Sequence, residues 1–215
     1  MNQQTADIFT EIYQNQAWGH GETRSGWEST MLYTRSVRDN LSPLLKEYNM
    51  YRLIDLGCGD HNWASAMLTA DIVGLQLDYT GIDCVAPVID HLNSFYTDNW
   101  RRRFICADVC EDPIPYGEVA LVRNVMFHLT QTQQLALLRN YVNSGIPYLL
   151  ASTYTMEGVV NVEGQCGQFA WVDLYQAPFN LPVGGIKTIV DYLPGDHEKH
   201  LVLWTREQVQ QALGV

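Results

Sequence analysis

Basic residues are few in this chain of 215 residues, with 13 Lys and Arg against 24 Asp and Glu and a formal net charge of -11 at pH 7. A surface with this balance repels nucleic-acid phosphates unless basic side chains cluster locally. The run Arg101, Arg102 and Arg103 is such a cluster, but it precedes an apolar run and is interpreted as a solvated edge of a strand or helix. We therefore expect no nucleic-acid partner.

Paired cysteine spacing, a targeting signal and a membrane-spanning run are also missing. The five cysteines are odd in number, and most of them lie inside apolar runs, as small hydrophobic residues do. This pattern predicts no metal site and a reducing compartment. The opening MNQQTADIF has no basic-then-apolar signal pattern, and the longest uncharged stretch, 141–156, is interrupted by Asn, Ser, Gly and Pro. The expected location is the cytoplasm, without membrane contact.

Internal repeats, low-complexity tracts and Ser/Pro-rich linkers are likewise absent, and 47% of the residues are hydrophobic. A chain of this length and composition can bury one substantial core, so we expect a single domain over 1–215. Residues 1–50 show helical spacing of apolar residues in two stretches. Residues 51–153 alternate between short apolar runs and helical stretches, and residues 154–215 add further apolar runs between Gly/Pro-rich segments.

The alternating middle part predicts an α/β fold. Five short apolar runs read as buried parallel strands: "YRLID", "YTGID", "RFICAD", "EVALVRN" and "PYLLAST". Helical stretches lie between them, among them "WASAMLTA", "PVIDHLNSFY" and "QTQQLALLRNYV". The tail runs "FAWVDLY" and "HLVLWT" are interpreted as two more strands. The sequence thus predicts a doubly wound, mostly parallel seven-stranded sheet with an antiparallel edge strand, preceded by two N-terminal helices.

The stretch "LIDLGCGDHNW", residues 53–63, has the form of a cofactor-binding turn. Glycine after a strand permits a positive φ and a close approach of the backbone to a ligand. A dinucleotide site requires a third glycine in G-x-G-x-x-G, so that the helix N-terminus meets a pyrophosphate. Asn62 occupies that third position, and Asp60 adds negative charge where a pyrophosphate would lie. A cofactor without phosphate and with a positive sulfonium, such as S-adenosylmethionine, suits this acidic loop better.

At this point the sequence resembles the class I S-adenosylmethionine-dependent methyltransferases, including small bacterial and phage-associated ones. Their first motif, a hydrophobic residue followed by D-x-G-x-G, corresponds to residues 54–59. The resemblance covers about 51–153 and implies a Rossmann-like sheet with S-adenosylmethionine as cofactor. It places cofactor contacts in this motif at Asp55, Gly57, Cys58 and Gly59.

Later motifs follow in the family's order. The resemblance implies that Asp83, at the end of the second strand and next to Cys84, accepts hydrogen bonds from the ribose hydroxyls. It likewise implies that Asp108, with Val109, contacts the adenine amino group. The run "ALVRNVMFHL" resembles the fourth motif, which closes the site near the methionine moiety and the substrate.

The N-terminal segment "IYQNQAWGHGETRSGWES" is rich in Trp, Gly, Ser and Tyr, a composition that suits a lid over a site. Similar W-G arrangements precede the first motif in small methyltransferases. We expect Trp18 and Gly19 to contact the cofactor and Trp27 to contact the substrate. The alternative is a loop that joins two helices and is anchored in the core by its tryptophans.

Methyl transfer needs aligned reactants and, for a hydroxyl acceptor, removal of a proton. His128, a few residues past the fourth strand, is the candidate base, because an imidazole titrates near neutrality. A histidine that packs against a helix is the alternative. Arg123 and Asn124 end the strand and are predicted to touch the methionine carboxylate or an anionic acceptor.

The acceptor is expected to be a small molecule. Base-amine methyltransferases carry [N/D]-P-P-[Y/F] at the fourth strand, whereas residues 123–126 read Arg-Asn-Val-Met, and no cysteine follows a proline as in cytosine carbon methylation. Tyr175 and Phe179, in "YQAPFNLPVGG", are predicted substrate contacts at the site mouth, with simple packing as the alternative.

The sequence therefore predicts an enzyme, a methyltransferase that uses S-adenosylmethionine, most readily for O-methylation and next for N-methylation. A non-catalytic module that binds the cofactor for sensing or scaffolding is one alternative. A nicotinamide-dependent oxidoreductase on the same sheet is another. The oligomeric state is not predicted.

Overall fold

A single seven-stranded sheet forms the centre of the molecule. The computed structural model describes residues 2–19, 21–74, 76–97, 100–155, 157–158 and 160–215, and for 69–74 it describes the backbone alone. The helices are α1 Gln3–Gln14, α2 Arg35–Glu47, α3 Asn62–Gly74, α4 Ala86–Phe95, α5 Gln131–Ser144 and α6 Arg206–Leu213. The strands are β1 Arg52–Leu56, β2 Asp78–Asp83, β3 Arg102–Cys106, β4 Val119–Val122, β5 Tyr148–Tyr154, β6 Lys187–Val190 and β7 Lys199–Thr205.

The strand order is β3-β2-β1-β4-β5-β7-β6. Strands β1 to β5 pair in parallel, and β7 runs antiparallel to both β5 and β6. The order changes direction at β1, where β2 lies on one side and β4 on the other. In open α/β sheets this switch point is where ligands bind, beyond the carboxyl ends of the strands.

Two apolar layers cover the sheet. On one face α2, α3 and α4 pack onto it, and Leu41, Leu45 and Leu68 are completely buried there. On the other face α5 and α6 pack through residues such as Leu137 and Val209, both completely buried. Because both faces are covered, four consecutive positions of β1 are buried, which explains the unbroken apolar runs in the sequence.

Helix boundaries follow their capping residues. Thr130 and Gln133 form a capping box at the start of α5, and Gly145 ends that helix with a left-handed φ of 77°. Thr205 and Gln208 form a second capping box that turns the chain from β7 directly into α6. These boxes satisfy backbone N–H groups that the first helical turn would leave unpaired.

The five predicted parallel strands and the doubly wound, mostly parallel sheet are confirmed, as is an antiparallel strand pair at one edge. The strand predicted for "FAWVDLY" is wrong, because 169–175 form no strand and the second tail strand is β6. The reason is geometric: β7 fills the free edge of β5 over all seven residues. Residues 169–175 instead run across the strand ends, where the N–H of Leu174 donates to Thr153 Oγ1 at 2.8 Å.

The predicted pair of N-terminal helices is also present. Helix α1 begins at an Asn2 cap, and α2 starts at Arg35, six residues later than the periodicity of "STMLYTRSVRDNLSPLLKEY" indicates. Between them lies a short 3-10 turn, Trp27–Ser29, in which Glu28 is hydrogen-bonded to Arg123 and Asn124 just after β4. His20, within the predicted lid, and Met1 lie outside the described residues. Among the helices described, none combines the length and apolar character needed to cross a membrane.

Candidate active site

A cavity of about 370 Å³ lies beyond the carboxyl ends of the strands, at the switch point of the sheet. Its floor comes from the turns after β1, β2, β3 and β4, and its roof comes from α1 and the segment that joins α1 to α2. The volume falls in the range of small-molecule sites. Most of the predicted site residues line it: Trp18, Trp27, Asp55, Gly57, Cys58, Gly59, Asp83, Cys84, Asp108, Val109, Arg123, Asn124 and His128.

The glycine turn after β1 is built for close approach. Gly57 and Gly59 have φ values of 83° and 53°, which favour glycine. A Cβ at Gly57 would collide with the Val125 side chain after β4, and one at Gly59 would collide with Ser25 of the joining segment. The backbone N–H of Gly57 donates to the Ile82 carbonyl at 2.8 Å, which holds the turn against β2. The two glycines thus let three parts of the chain meet at the cavity.

Asp55 lies under this turn and is only 4% exposed. Its Oδ2 accepts a hydrogen bond of 2.7 Å from the Tyr79 hydroxyl. The His61 Nδ1 lies 3.2 Å from the same hydroxyl. Because the hydroxyl proton is donated to Asp55, His61 Nδ1 donates to the hydroxyl oxygen. Burial raises the pKa of Asp55 to about 7, against the opposing effect of the Tyr79 hydrogen bond. Asp55 therefore titrates near neutrality at the edge of a ligand cavity.

Asp83 presents a half-buried carboxylate at the end of β2. Its Oδ2 accepts the Gly59 N–H and its Oδ1 accepts the Val85 N–H, each at 3.0 Å. Burial raises its pKa, and these backbone hydrogen bonds lower it. Each carboxylate oxygen can accept a further hydrogen bond. The group is oriented by the backbone and open to the cavity, so it can take two neighbouring hydroxyl donors.

Asp108, after β3, is 3% exposed. Its Oδ1 accepts the Cys110 N–H at 2.9 Å, and its Oδ2 accepts the Asn2 N–H at 3.2 Å. The start of α1 is thereby tied to the third acid of the site. The predicted acids at 55, 83 and 108 come from three adjacent strands and meet at one cavity.

The joining segment is fixed to the glycine turn through Asp60. The Asp60 carboxylate accepts hydrogen bonds from Thr23 Oγ1 at 2.7 Å, the Arg24 N–H at 2.8 Å and Ser25 Oγ at 3.0 Å. The neighbouring Asn62 side chain adds a hydrogen bond of 2.7 Å to Glu22. The sequence indicated only that Asp60 disfavours a phosphate. In the structure its carboxylate also holds the roof of the cavity in place.

A buried charge network, defined here as Glu28, Arg123, Asn124, Asp191 and Lys199, forms the wall on the β4 side. Arg123 Nη2 donates to Asp191 Oδ1 at 2.7 Å and to the Glu28 carbonyl at 2.8 Å. Lys199 Nζ pairs with Glu28 Oε2 and donates to Asn124 Oδ1 at 2.9 Å, and Asn124 Nδ2 donates to Glu28 at 2.8 Å. Lys199 and Asp191 are fully buried, and Lys199 Nζ also lies 3.7 Å from Asp191 Oδ2. The network joins the roof to β4 and β7.

These contacts bear on the roles predicted for Arg123 and Asn124. The Arg123 guanidinium is 3% exposed and already paired with a carboxylate, which favours support of the cavity wall over direct contact with a ligand carboxylate. Both polar ends of Asn124 are engaged, and its φ of 60° is held by this pairing. Glu28, Asp191 and Lys199 were not predicted as site residues from the sequence. A lysine that opens the apolar run "KHLVLWT" was the available signal, because lysine is seldom buried without a partner.

His128 lines the cavity after β4 and stacks on Trp18, with ring centres 4.2 Å apart. Its Nδ1 is buried and has no hydrogen-bond partner among the described residues. Burial lowers the pKa of His128 to about 4, and a hydrogen bond to the Gln168 backbone opposes this effect. The imidazole is therefore neutral at pH 7.

The structure does not bring every predicted residue to the cavity. Phe179 is completely buried in the core on the α5 side, and Tyr175 packs against Trp204 with ring centres 6.1 Å apart. Neither residue is among those that line the cavity, so the structure does not bring these two predicted substrate contacts to it. Gly19 also lies outside the lining, and its N–H donates to the Gln16 carbonyl at 2.8 Å.

Several lining residues escaped the sequence analysis. Phe9 and Tyr13 come from the inner face of α1, and Phe169 comes from the segment after β5. Arg24 is exposed at the rim, with its guanidinium carbon 5.1 Å from the centre of the Tyr13 ring. The spacing of Phe9 and Tyr13 on α1 was a usable signal, since residues four apart share one helix face.

No protein-family model matches the sequence, and no curated protein matches it. Solved structures do. A 1,6-didemethyltoxoflavin-N1-methyltransferase from Burkholderia thailandensis is 13% identical, with a TM-score of 0.63 over 95% of this chain and 90% of that one. A magnesium protoporphyrin IX methyltransferase from Synechocystis is 12% identical, with a TM-score of 0.62 over 95% and 96%. The N-methyltransferase NodS from Bradyrhizobium japonicum is 12% identical, with a TM-score of 0.57 over 80% and 96%.

The chain therefore has the fold of the class I S-adenosylmethionine-dependent methyltransferases, as its resemblance implied. At these identities the likeness extends to the fold. The chemistry depends on the residues of the cavity.

Proposed function

We propose that this protein binds S-adenosylmethionine and transfers its methyl group to a small-molecule acceptor in the cytosol, with oxygen as the preferred acceptor atom and nitrogen as the next. The observation that carries the proposal is the meeting of Asp55, Asp83 and Asp108 with the Gly57–Gly59 turn at one cavity. The three acids lie at or just after the carboxyl ends of adjacent parallel strands, which is where open α/β sheets bind ligands.

The residues fit the parts of that cofactor. The open carboxylate of Asp83 suits the two ribose hydroxyls, and Asp108 suits the adenine amino group. The exposed guanidinium of Arg24 suits the carboxylate of the amino-acid part. Asp55, ionised at slightly alkaline pH, suits its ammonium. The bound cofactor supplies a methyl group already activated by a positive sulfur, so the chain's own residues chiefly bind, orient and exclude water.

The same features weigh against the alternatives. A dinucleotide needs room for a pyrophosphate at the helix that follows β1, and here Asp60 and the segment it holds occupy that approach. A non-catalytic binding module differs from an enzyme only in lacking turnover. Transfer of a labelled methyl group from S-adenosylmethionine to any acceptor would exclude that module.

The test of the cofactor site is Asp83→Ala with Asp90→Ala, an exposed acid on α4, as the matched control. Loss of hydrogen bonds to a charged group costs about 1.5–3 kcal/mol. S-adenosylhomocysteine should therefore bind Asp83→Ala about 10 to 150 times more weakly in calorimetric titration, and bind Asp90→Ala as it binds the wild type. Equal affinity for both variants would refute the ribose assignment.

A further inference from the structure

Aromatic rings form the half of the cavity next to β4. This aromatic wall consists of Trp18, Trp27, Phe127, His128 and Phe169, all of which line the cavity. Phe169 lies with its ring centre 6.1 Å from those of both Phe127 and His128. Phe127 and His128 follow β4, which lies on the other side of β1 from the strands that carry Asp83 and Asp108. If the proposed function holds, this is the half left for the acceptor, and the inference rests on that function.

Two members of the aromatic wall are unusually open for large apolar side chains. Phe169 is 49% exposed and Trp27 is 42% exposed. Phe169 also packs edge-to-face against Trp171, with ring centres 4.9 Å apart. Flat, rigid and exposed ring faces around a cavity favour a flat apolar partner, because offset and edge-to-face ring contacts add to the burial of apolar area.

The charged groups of the buried charge network, beside the aromatic wall, cancel one another. Glu28 and Asp191 carry two negative charges, and Arg123 and Lys199 carry two positive charges, within one set of hydrogen bonds and ion pairs. The neutral imidazole of His128 adds none. A charged acceptor would lose its hydration here without gaining a free counter-charge, at a high cost. The wall therefore selects for an uncharged molecule.

His128 supplies the polar contact in the aromatic wall. Its Nδ1 has no partner among the described residues, and in the neutral tautomer that carries the proton on Nε2 this atom has a free lone pair. The buried Nδ1 lone pair is left to accept a hydrogen bond, and burying it unpaired is unfavourable. With a pKa of about 4, this imidazole is a weak base. It matches a comparatively acidic hydroxyl better than an aliphatic alcohol.

We propose that the acceptor is an uncharged aromatic compound with a ring hydroxyl, stacked within the aromatic wall and hydrogen-bonded to Nδ1 of His128. In the transfer, a lone pair of the hydroxyl oxygen forms the new O–CH3 bond while the S–CH3 bond breaks and its electron pair stays on sulfur. The hydroxyl proton passes to Nδ1 of His128, which gives it up to water once the methyl ether has left the cavity. The products are the aryl methyl ether and S-adenosylhomocysteine.

The experiment is calorimetric titration of the full chain, saturated with S-adenosylhomocysteine, with three matched probes. These are 1-naphthol, its saturated analogue decahydro-1-naphthol, and 1-naphthoate. The expected result is at least tenfold tighter binding of 1-naphthol than of either other probe. Equal or tighter binding of the saturated or the anionic probe would overturn the inference.

Variants of the aromatic wall identify the residues that cause the preference for 1-naphthol. Phe169→Leu should reduce the preference for 1-naphthol over its saturated analogue to less than threefold, whereas Phe95→Leu, which alters a 70% exposed ring on α4, should keep it. A preference that survives in Phe169→Leu contradicts the aromatic wall. His128→Phe keeps a ring against Trp18 but removes Nδ1, so 1-naphthol should then bind no tighter than naphthalene. If the hydroxyl keeps its advantage there, the His128 contact is wrong.

The two proposals fail differently. If S-adenosylhomocysteine itself does not bind, the proposed function is wrong. If it binds and the three probes show no preference for 1-naphthol, the cofactor site stands and only the acceptor class is wrong.

Discussion

Asp55→Asn should stabilise the fold at alkaline pH, because the native protein keeps an acid where its ionised form is poorly solvated. Asp55 is 4% exposed, and its pKa is raised from 3.8 to about 7. A raised native pKa means that the native state binds more protons than the unfolded state between these two values. The free energy of unfolding therefore falls as pH rises through this window.

The magnitude follows from the shift. At about 1.36 kcal/mol per pKa unit, a shift of about three units costs about 4 kcal/mol once Asp55 is fully ionised. Between pH 5 and pH 8 the ionisation cost grows by about 2.5 kcal/mol. Asparagine does not titrate, and its amide oxygen accepts the same hydrogen bond from Tyr79. The difference in unfolding free energy between Asp55→Asn and the wild type should thus shift by about 2–3 kcal/mol in favour of the variant from pH 5 to pH 8.

Urea unfolding at pH 5 and pH 8, in the absence of ligand, measures this change. Asp90→Asn, the exposed acid on α4, should show no such pH-dependent gain. If the difference in unfolding free energy between Asp55→Asn and wild type is the same at both pH values, folding does not raise the pKa of Asp55 and the predicted stabilisation is wrong. A confirmed gain would indicate that the carboxylate is kept for ligand binding at a cost in stability.

Two further substitutions test the supports of the cavity. Lys199→Met removes the partner of Glu28 and one of the two cations near Asp191, so it should lower the free energy of unfolding in urea by about 3 kcal/mol. Lys187→Met changes a lysine of the same β6–β7 hairpin that makes only an exposed pair with Glu47, and it should lower that free energy far less. Similar losses in the two variants would contradict a stabilising role of the network. Asp60→Ala removes the carboxylate that holds residues 23–25 and should speed trypsin cleavage of the native protein after Arg24 at least tenfold. The control Asp39→Ala, on α2, should leave the cleavage rate unchanged. An unchanged rate in Asp60→Ala would show that other contacts hold the segment.

The glycine turn and the three acids were predictable because each depends on residues close in sequence. A strand, a turn that needs a positive φ and an acid at a strand end leave local patterns, and parallel strands bring their carboxyl ends to one edge. Asp55, Asp83 and Asp108 therefore meet at the cavity as the alternating pattern of 51–153 predicts.

The charge network was not predictable in the same way. Lys199 and Glu28 are 171 positions apart, and nothing in either local sequence identifies the partner. Asp191 reads as an ordinary polar residue at the end of β6 until the sheet places it beside Arg123. Such pairs are specified by the three-dimensional arrangement of the strands, and the sequence shows only that a buried lysine or arginine needs some acid.

The errors in the tail have a similar origin. "FAWVDLY" has the composition of a strand, but the edge of β5 belongs to β7, so the run lies across the strand ends instead. Phe179 and Tyr175 lie in a Gly/Pro-rich segment whose aromatic residues fit a pocket wall or a core equally well by composition. Phe169, in the run misread as a strand, takes the place at the cavity that those two were expected to have.

Calorimetric titration of the wild-type protein with S-adenosylhomocysteine and, separately, with NADH tests the cofactor assignment most directly. We expect saturable binding of S-adenosylhomocysteine at a stoichiometry of about one and no binding of NADH, because Asn62 fills the third-glycine position and the Asp60 contacts close the approach of a pyrophosphate. Binding of NADH alone would overturn the assignment and identify a nicotinamide site. Binding of neither would mean that the glycine turn serves only to join β1, β4 and the roof.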